Sequence, residues 1–195
     1  MPFGDKLLYR AFGLPTGVLG RLGGKIMAGR RQLRIAEHVA DHLDVCPGDK
    51  VLEIGFGPGV AIQHMHERLG DHGLIVGIDP SEVMLQMAST RNAEAIDRGS
   101  VRLVSGTVTQ IPFEDEFFDK GYAMNSFQLW PDKLAGLREI RRVLKPGGPL
   151  VLSFYGPAQR GITREFVREQ LKEAGFKEIT VTSDSDSVLY FVARK

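Results

Sequence analysis

The sequence predicts an α/β protein in which a doubly wound parallel sheet carries helices on both faces, and three observations point there. Short apolar runs near residues 50–54, 74–78, 101–105, 118–124 and 150–155 alternate with stretches whose apolar residues recur at helical spacing, the order expected of repeated strand–helix–strand units. The first run leads straight into Gly55, Gly57 and Gly59, which reads as a strand feeding a tight turn whose main chain a ligand can approach closely. The second run ends in Asp79, and ligands of such sheets sit beyond the carboxyl ends of the strands.

A chain of 195 residues is large enough to bury a core on both faces of a sheet and suits one domain. Its 43% apolar and 25% charged residues are those of a soluble globular protein. A net charge of +1 gives no overall field to recruit nucleic acid. Cys46, the single cysteine, can form neither an internal disulfide nor a cysteine-based metal site, which fits a reducing compartment. There is no apolar run long enough to span a bilayer, and residues 1–6 lack the layout of a secretion signal. The expected location is cytoplasmic.

Residues 1–31 stand apart as an N-terminal lid or packing segment. Large apolar residues such as Phe3, Leu7, Phe12, Leu19 and Leu22 mix with seven glycines, and up to Arg34 seven basic residues face Asp5 alone. Interior glycines cost a helix about 1 kcal/mol each, so short helical pieces with flexible joints are expected. The segment could pack over the core, close over a site, or form a basic, apolar lip that gives peripheral membrane contact through residues 1–30.

From residue 32 the elements come in order. Leu33, Ile35, Ala36, Val39, Ala40 and Leu43 form the apolar stripe of a helix over 32–43. His38 and His42 stand four apart, but Val39 occupies the place where a His-Glu-x-x-His metal helix needs its glutamate, so no metal site is expected. Pro47-Gly48-Asp49 turns the chain into the first strand. After the glycines a helix over 60–69 aims its positive end at the turn. The third glycine of the dinucleotide fingerprint would fall on Val60, and no Gly-Lys-Ser or Gly-Lys-Thr comes after the turn; the first mismatch weakens a pyrophosphate site and the second excludes a Walker loop. Ser81 caps the next helix, with Met84, Leu85, Met87 and Ala88 inward. Strand four runs over 118–124, with Lys120 near an end or snorkelling. A helix over 134–144 stops at Lys145-Pro146-Gly147-Gly148, and Pro149 opens strand five. A helix over 163–174 and a strand pair over 176–182 and 188–193 close the chain.

Glu53-x-Gly55-x-Gly57-x-Gly59 resembles the first motif of the class I methyltransferases that use S-adenosylmethionine. The run Leu-Arg-Glu-Ile-Arg-Arg-Val-Leu-Lys-Pro-Gly-Gly at 137–148 resembles the matching region of the ubiquinone and menaquinone biosynthesis methyltransferases. The resemblance covers about residues 32–195 as the methyltransferase domain. It implies a Rossmann-like, doubly wound, seven-stranded sheet, mostly parallel with the last strand antiparallel. It places the glycine turn against the cofactor's methionine portion, with Glu53 helping to hold its amino group. Asp79, with Pro80 beside it, stands where an acid accepts two hydrogen bonds from a ribose diol. Thr107 comes after Gly106 where an adenine-contacting acid is commonest, so the hydroxyl, or the backbone of Thr107 and Val108, would carry that contact. Asn125, at the end of strand four, is a cofactor neighbour and the candidate polar group closest to the transferable methyl. An Asn-Pro-Pro-Tyr signature is absent, which argues against acceptors that are planar base or amide nitrogens.

The function this implies is transfer of a methyl group from S-adenosylmethionine, leaving S-adenosylhomocysteine, by direct displacement. Phe127, Trp130 and the apolar N-terminal segment favour a small-molecule or lipophilic substrate. No general base stands out; Tyr9, Tyr155, His64 and His66 read as structural. Two rivals are an RNA or protein methyltransferase, suggested by the arginines of 21–34 and 138–142, and a non-catalytic cofactor-binding module.

Overall fold

Buried runs form the four central strands, and the computed structural model describes residues 17–27, 29–70, 72–156 and 162–195. The helices are α1 (Gly17–Met27), α2 (Arg30–Leu43), α3 (Val60–Leu69), α4 (Glu82–Arg91), α5 (Ala93–Asp97), α6 (Lys133–Val143) and α7 (Arg164–Glu173). The strands are β1 (Lys50–Ile54), β2 (Leu74–Asp79), β3 (Val101–Ser105), β4 (Lys120–Met124), β5 (Pro149–Phe154), β6 (Lys177–Ser183) and β7 (Leu189–Arg194). They form one seven-stranded sheet in the order β3-β2-β1-β4-β5-β7-β6. β1 to β5 pair in parallel, and β7 runs antiparallel to both β5 and β6. The expected architecture is therefore the observed one. The chain enters at β1, winds outward to β3, then returns to β4, and the reversal between β1 and β4 opens a crevice at their carboxyl ends.

Alternation along the strands divides the core in two. Val51, Ile75, Val101, Tyr122 and Val151 face Ile35, Val39, Leu43, Met65 and Met84 of α2, α3 and α4. Leu52, Val76, Ala123, Leu150 and Leu152 face Leu137, Ile140, Val167 and Leu171 of α6 and α7. The helix starts use side-chain caps: Ser81, Asp132 and Thr163 accept from the N–H of Met84, Ala135 and Phe166. Pro149 opens β5 as expected.

Several expectations change. Over residues 17–27 the N-terminal segment is one continuous helix, with no joint at Gly20, Gly23 or Gly24. A Cβ on Gly24 would come within 2.6 Å of Met87 Sδ and 3.1 Å of Met84 Cε, so packing against α4 offsets its poor helix propensity. Residues 1–16 and 28 of that segment, Tyr9 among them, lie outside the described residues. Leu33 is 40% exposed, outside the buried stripe of α2. β4 starts at Lys120, because Phe118 makes only an isolated bridge to Leu144. Lys120 does sit at the strand end, where its Nζ meets Asp49 Oδ2 at 2.8 Å. The short α5 carried no sequence signal. His38 and His42 face the Tyr190 ring, at centroid distances of 5.9 and 5.0 Å. Among the described residues no helix is long and apolar enough to cross a membrane.

Candidate active site

The crevice at the β1–β4 switch is lined by the segments that leave the carboxyl end of each strand. After Ile54 the chain enters the glycine loop, with φ of +79°, +52° and +77° at Gly55, Gly57 and Gly59, values that cost a residue with a Cβ about 1–2 kcal/mol. The loop is packed from behind. A Cβ on Gly55 would lie 2.4 Å from Ser126 Cβ, and one on Gly59 would lie 2.7 Å from Ala88 Cβ and from Asn92 Nδ2. In front it is open, since a Cβ on Gly57 would meet nothing within 4 Å. Gly55 N–H donates to Ile78 O at 2.7 Å, tying the loop to β2.

Two acids sit beneath the loop. Asp79, 7% exposed, accepts from Gly57 N–H through Oδ2 at 3.0 Å and from Ser81 N–H through Oδ1 at 2.9 Å. Burial raises its pKa against the pull of those two donors. Glu53 is 1% exposed and pairs across strands with Tyr122, whose Oη–H donates to Oε2 at 2.8 Å. Burial pushes the Glu53 pKa up to about 8, although the Tyr122 bond pulls it down; the nearby Asp79 carboxyl adds to the rise. Tyr122 is itself raised, by burial and then by Glu53. Glu53 thus lies enclosed, its carboxyl held toward the protonated form by burial.

The ends of β4 and β5 are stitched by polar atoms. Asn125 has φ +55°, a conformation asparagine tolerates better than most residues. Its N–H donates to Ser153 O at 2.8 Å, and its Oδ1 accepts from Tyr155 N–H at 3.0 Å. That oxygen therefore holds β4 to the end of β5. Ser126 Oγ donates to Ile54 O at 2.6 Å, joining β4 to β1 directly behind Gly55. In the turn of 127–130, Gln128 Nε2 donates to Asn125 O at 2.6 Å, while Gln128 Oε1 and Trp130 Nε1 are buried without a hydrogen-bond partner. Phe127 and Trp130 stack edge-on at 5.0 Å and are 1% and 6% exposed.

Of the other expected residues, Pro80 and Thr107 are exposed at the rim, and Thr107 Oγ1 lies 3.1 Å from Thr109 Oγ1. Val108 points its side chain into the core against Gly136, leaving only its backbone for a ligand. Their loop is latched by α6: Arg142 donates to Phe113 O, Ile111 O and Asp115 Oδ1, and Glu139 Oε1 accepts from Ile111 N–H at 3.0 Å. Tyr155 Oη donates to Gln32 Oε1 at 3.0 Å. His66 Nε2 meets Ser100 Oγ at 2.8 Å, at the amino end of β3 and away from the crevice. His64 lines a groove with Arg30 and Leu33. Among the described residues no cluster of histidine, cysteine and carboxylate could hold a metal ion.

Sequence reasoning brought Glu53, the glycines, Asp79 and Asn125 to one crevice. It did not foresee that Ser126, Arg91 and Asn92 support the loop across long chain separations, or that Tyr122 holds Glu53, and none of these carries a spacing signature. Comparison with known proteins agrees with this layout. The methyltransferase domain model matches residues 51–148, half the chain. The uncharacterized methyltransferase YdaC of Bacillus subtilis is 34% identical over 166 residues, 82% of this chain and 88% of that protein. The demethylmenaquinone methyltransferase of Bacillus cereus is 37% identical over 111 residues, 56% of this chain and 46% of its own length, so the chain spans about half of that relative. The crystal structure of an S-adenosylmethionine-dependent methyltransferase from Aquifex aeolicus matches with a TM-score of 0.79 at 20% identity, over 89% of this chain and 97% of that one, and shows a shared fold. A domain match that runs from the glycine motif to the threshold of β5, with a relative similar over nearly its full length, places this chain in the methyltransferase domain family.

Proposed function

We propose that the protein binds S-adenosylmethionine in the β1–β4 crevice and transfers its methyl group by direct displacement to a small or lipophilic acceptor. The observation that carries this reading is the glycine loop, supported from behind by Ser126, Ala88 and Asn92 and bare in front of Gly57. That bare face fits the methionine portion of the cofactor, which would meet main-chain atoms there. When bound, S-adenosylmethionine supplies an electrophilic methyl on its sulfonium. Asp79 then receives the ribose diol: a carboxylate offers about four lone-pair sites, and two bonds to Gly57 and Ser81 leave it acceptor capacity. Pro80 and the backbone of Thr107 and Val108 border the adenine. Asn125, whose side chain braces β5, fixes the end of β4 beside the reacting methyl. Phe127 and Trp130 underlie this end and keep it dry.

The acceptor reading draws on three observations. Demethylmenaquinone methyltransferases are among the relatives. Leu22 and Leu33 are 57% and 40% exposed. They lie on α1 and α2, where Arg21 precedes Leu22 and Arg30 shares a groove with Leu33, apolar and basic neighbours of the kind that meet the rim of a lipid bilayer, while Arg31 and Arg34 are engaged with Asp186. α1 rests on α4, the helix whose end supports the glycine loop, and its Arg21 Nη2 donates to Gln86 Oε1. By contrast Arg141 and Arg142 direct donors at Gly175 O and at the 111–115 loop, a poor arrangement for gripping RNA.

Calorimetry with S-adenosylmethionine and S-adenosylhomocysteine, and then labelled methyl transfer to quinols, lipids, amines and RNA, tests the proposal. Absence of cofactor binding sinks it. Asp79→Asn keeps an acceptor for one N–H and removes the charge; the expected result is at least tenfold weaker cofactor binding, and unchanged affinity refutes the ribose role. Asp79→Ala is the poorer test, because it strands two buried donors at about 1–3 kcal/mol each.

A further inference from the structure

We infer that Arg91 and Asn92, at the end of α4, are positioning residues for the cofactor: they hold two carbonyls on the back of the glycine loop and so fix the face that the ligand meets. The loop needs such a device. Glycine at 55, 57 and 59 removes the side chains that would restrict the backbone, and each glycine has more conformational freedom to lose than any other residue. Hydrogen bonds from the loop's backbone to other backbone groups are few: Gly55 N–H to Ile78 O and Gly59 N–H to Phe56 O.

Side-chain support for the loop's carbonyls comes from the end of α4. Arg91 Nε donates to Pro58 O at 3.0 Å, and Arg91 Nη1 lies 3.5 Å from Gln63 Oε1 of α3. Asn92 Nδ2 donates to Gly59 O at 3.2 Å and to Ala88 O at 2.9 Å. Gly59 O also accepts the first helical N–H of α3, from Gln63 at 3.2 Å. Two adjacent residues therefore grip two adjacent carbonyls. Gly59 is the residue before α3 and has no side chain with which to cap it; Asn92, 4% exposed, fills the space a side chain there would need. A guanidinium bond to a carbonyl is charge-assisted and stronger than a neutral one. The N–H of the Pro58–Gly59 peptide is taken by Phe56 O; with both carbonyls turned toward α4 the two peptide planes are fixed, and a plane that flipped would exchange carbonyl for N–H and change the face that the loop presents.

This inference rests on the proposed cofactor site, so the experiment separates the two. S-adenosylhomocysteine and adenosine are titrated calorimetrically into the wild type, Arg91→Ala, Arg91→Lys and Asn92→Asp. Arg91 is exposed, so Arg91→Ala should fold, with its thermal midpoint measured alongside. The expected result is about tenfold weaker S-adenosylhomocysteine binding in Arg91→Ala and partial recovery in Arg91→Lys. Adenosine, which lacks the portion lying on the glycine loop, should lose markedly less. Asn92→Asp, which removes the donor at nearly constant shape, should lose at least as much as Arg91→Ala. Wild-type protein that fails to bind S-adenosylhomocysteine overturns the cofactor site itself. Wild-type binding with unchanged affinity in Arg91→Ala, whether or not its midpoint falls, overturns only the positioning role, as does an equal loss for both ligands.

Discussion

Glu53 is a carboxyl enclosed on all sides by protein, and its titration should be visible in the stability of the ligand-free protein. In the unfolded chain it ionises near 4.5, and in the folded protein at about 8. Between those values the folded state holds the extra proton, so stability falls as pH rises through that window; Asp79, also raised by burial, acts in the same sense. Glu53→Gln keeps an acceptor for Tyr122 and has no charge to bury. Denaturant melts at pH 5 and pH 8 should show the variant gaining stability over the wild type as pH rises, and a constant difference would contradict the buried neutral acid. The glycines make a second pair of variants. Gly55→Ala forces a Cβ against Ser126 at 2.4 Å in addition to its positive φ, whereas Gly57→Ala meets open space. Gly55→Ala should therefore lower the melting point more, while Gly57→Ala, costing about 1–2 kcal/mol for its backbone, should reduce cofactor affinity out of proportion to its effect on stability.

At the scale of elements, α6 acts as the clasp of the loop between β3 and β4. Arg142 reaches Ile111 O at 3.0 Å, Phe113 O at 2.9 Å and Asp115 Oδ1 at 2.7 Å, with Glu139 alongside; Glu139 holds its own pKa low chiefly through that guanidinium. Arg142→Ala should cost about 1–3 kcal/mol by removing charge-assisted hydrogen bonds to part-buried carbonyls, and should weaken binding of the adenine end through Thr107 and Val108. Comparing adenosine affinities of the two proteins checks this, with equal affinity counting against a role for the loop. The same region shows how far the sequence alone reaches. Strand positions could be read because buried parallel strands are apolar runs, and Glu53, Gly55 and Asp79 could be read because their order repeats a family motif. The clasp could not be read: Arg142 is one arginine among several on a polar helix face, and its partners lie about thirty positions away. Ser126 against Ile54 O, across seventy-two positions, was invisible for the same reason. The continuous α1 runs against expectation because propensity does not know that Gly24 will meet Met87 Sδ.

At the scale of the molecule, a ligand that needs the assembled crevice should stabilise the whole fold, because β1, β2 and β4 all end there. S-adenosylhomocysteine at a hundredfold excess over its Kd should add about 2.7 kcal/mol at 25 °C, read as a rise in melting point that a tenfold weaker Asp79→Asn cuts to about half at the same concentration. The other end of the sheet has a different lesson, about synthesis. β7 lies between β5 and β6, so β6 is completed before the strand that will attach it to the rest of the sheet exists. The pair meets at a turn where Asp184 Oδ1 accepts the N–H groups of Asp186 and Val188, and it joins the sheet when β7 docks on β5. Until it does, the edge of β5 from Pro149 to Phe154, buried throughout in the finished sheet, stands open to any other strand in a crowded cell. The β6–β7 pair is therefore also the cover of the β5 edge, a duty separate from the crevice at the other side of the sheet.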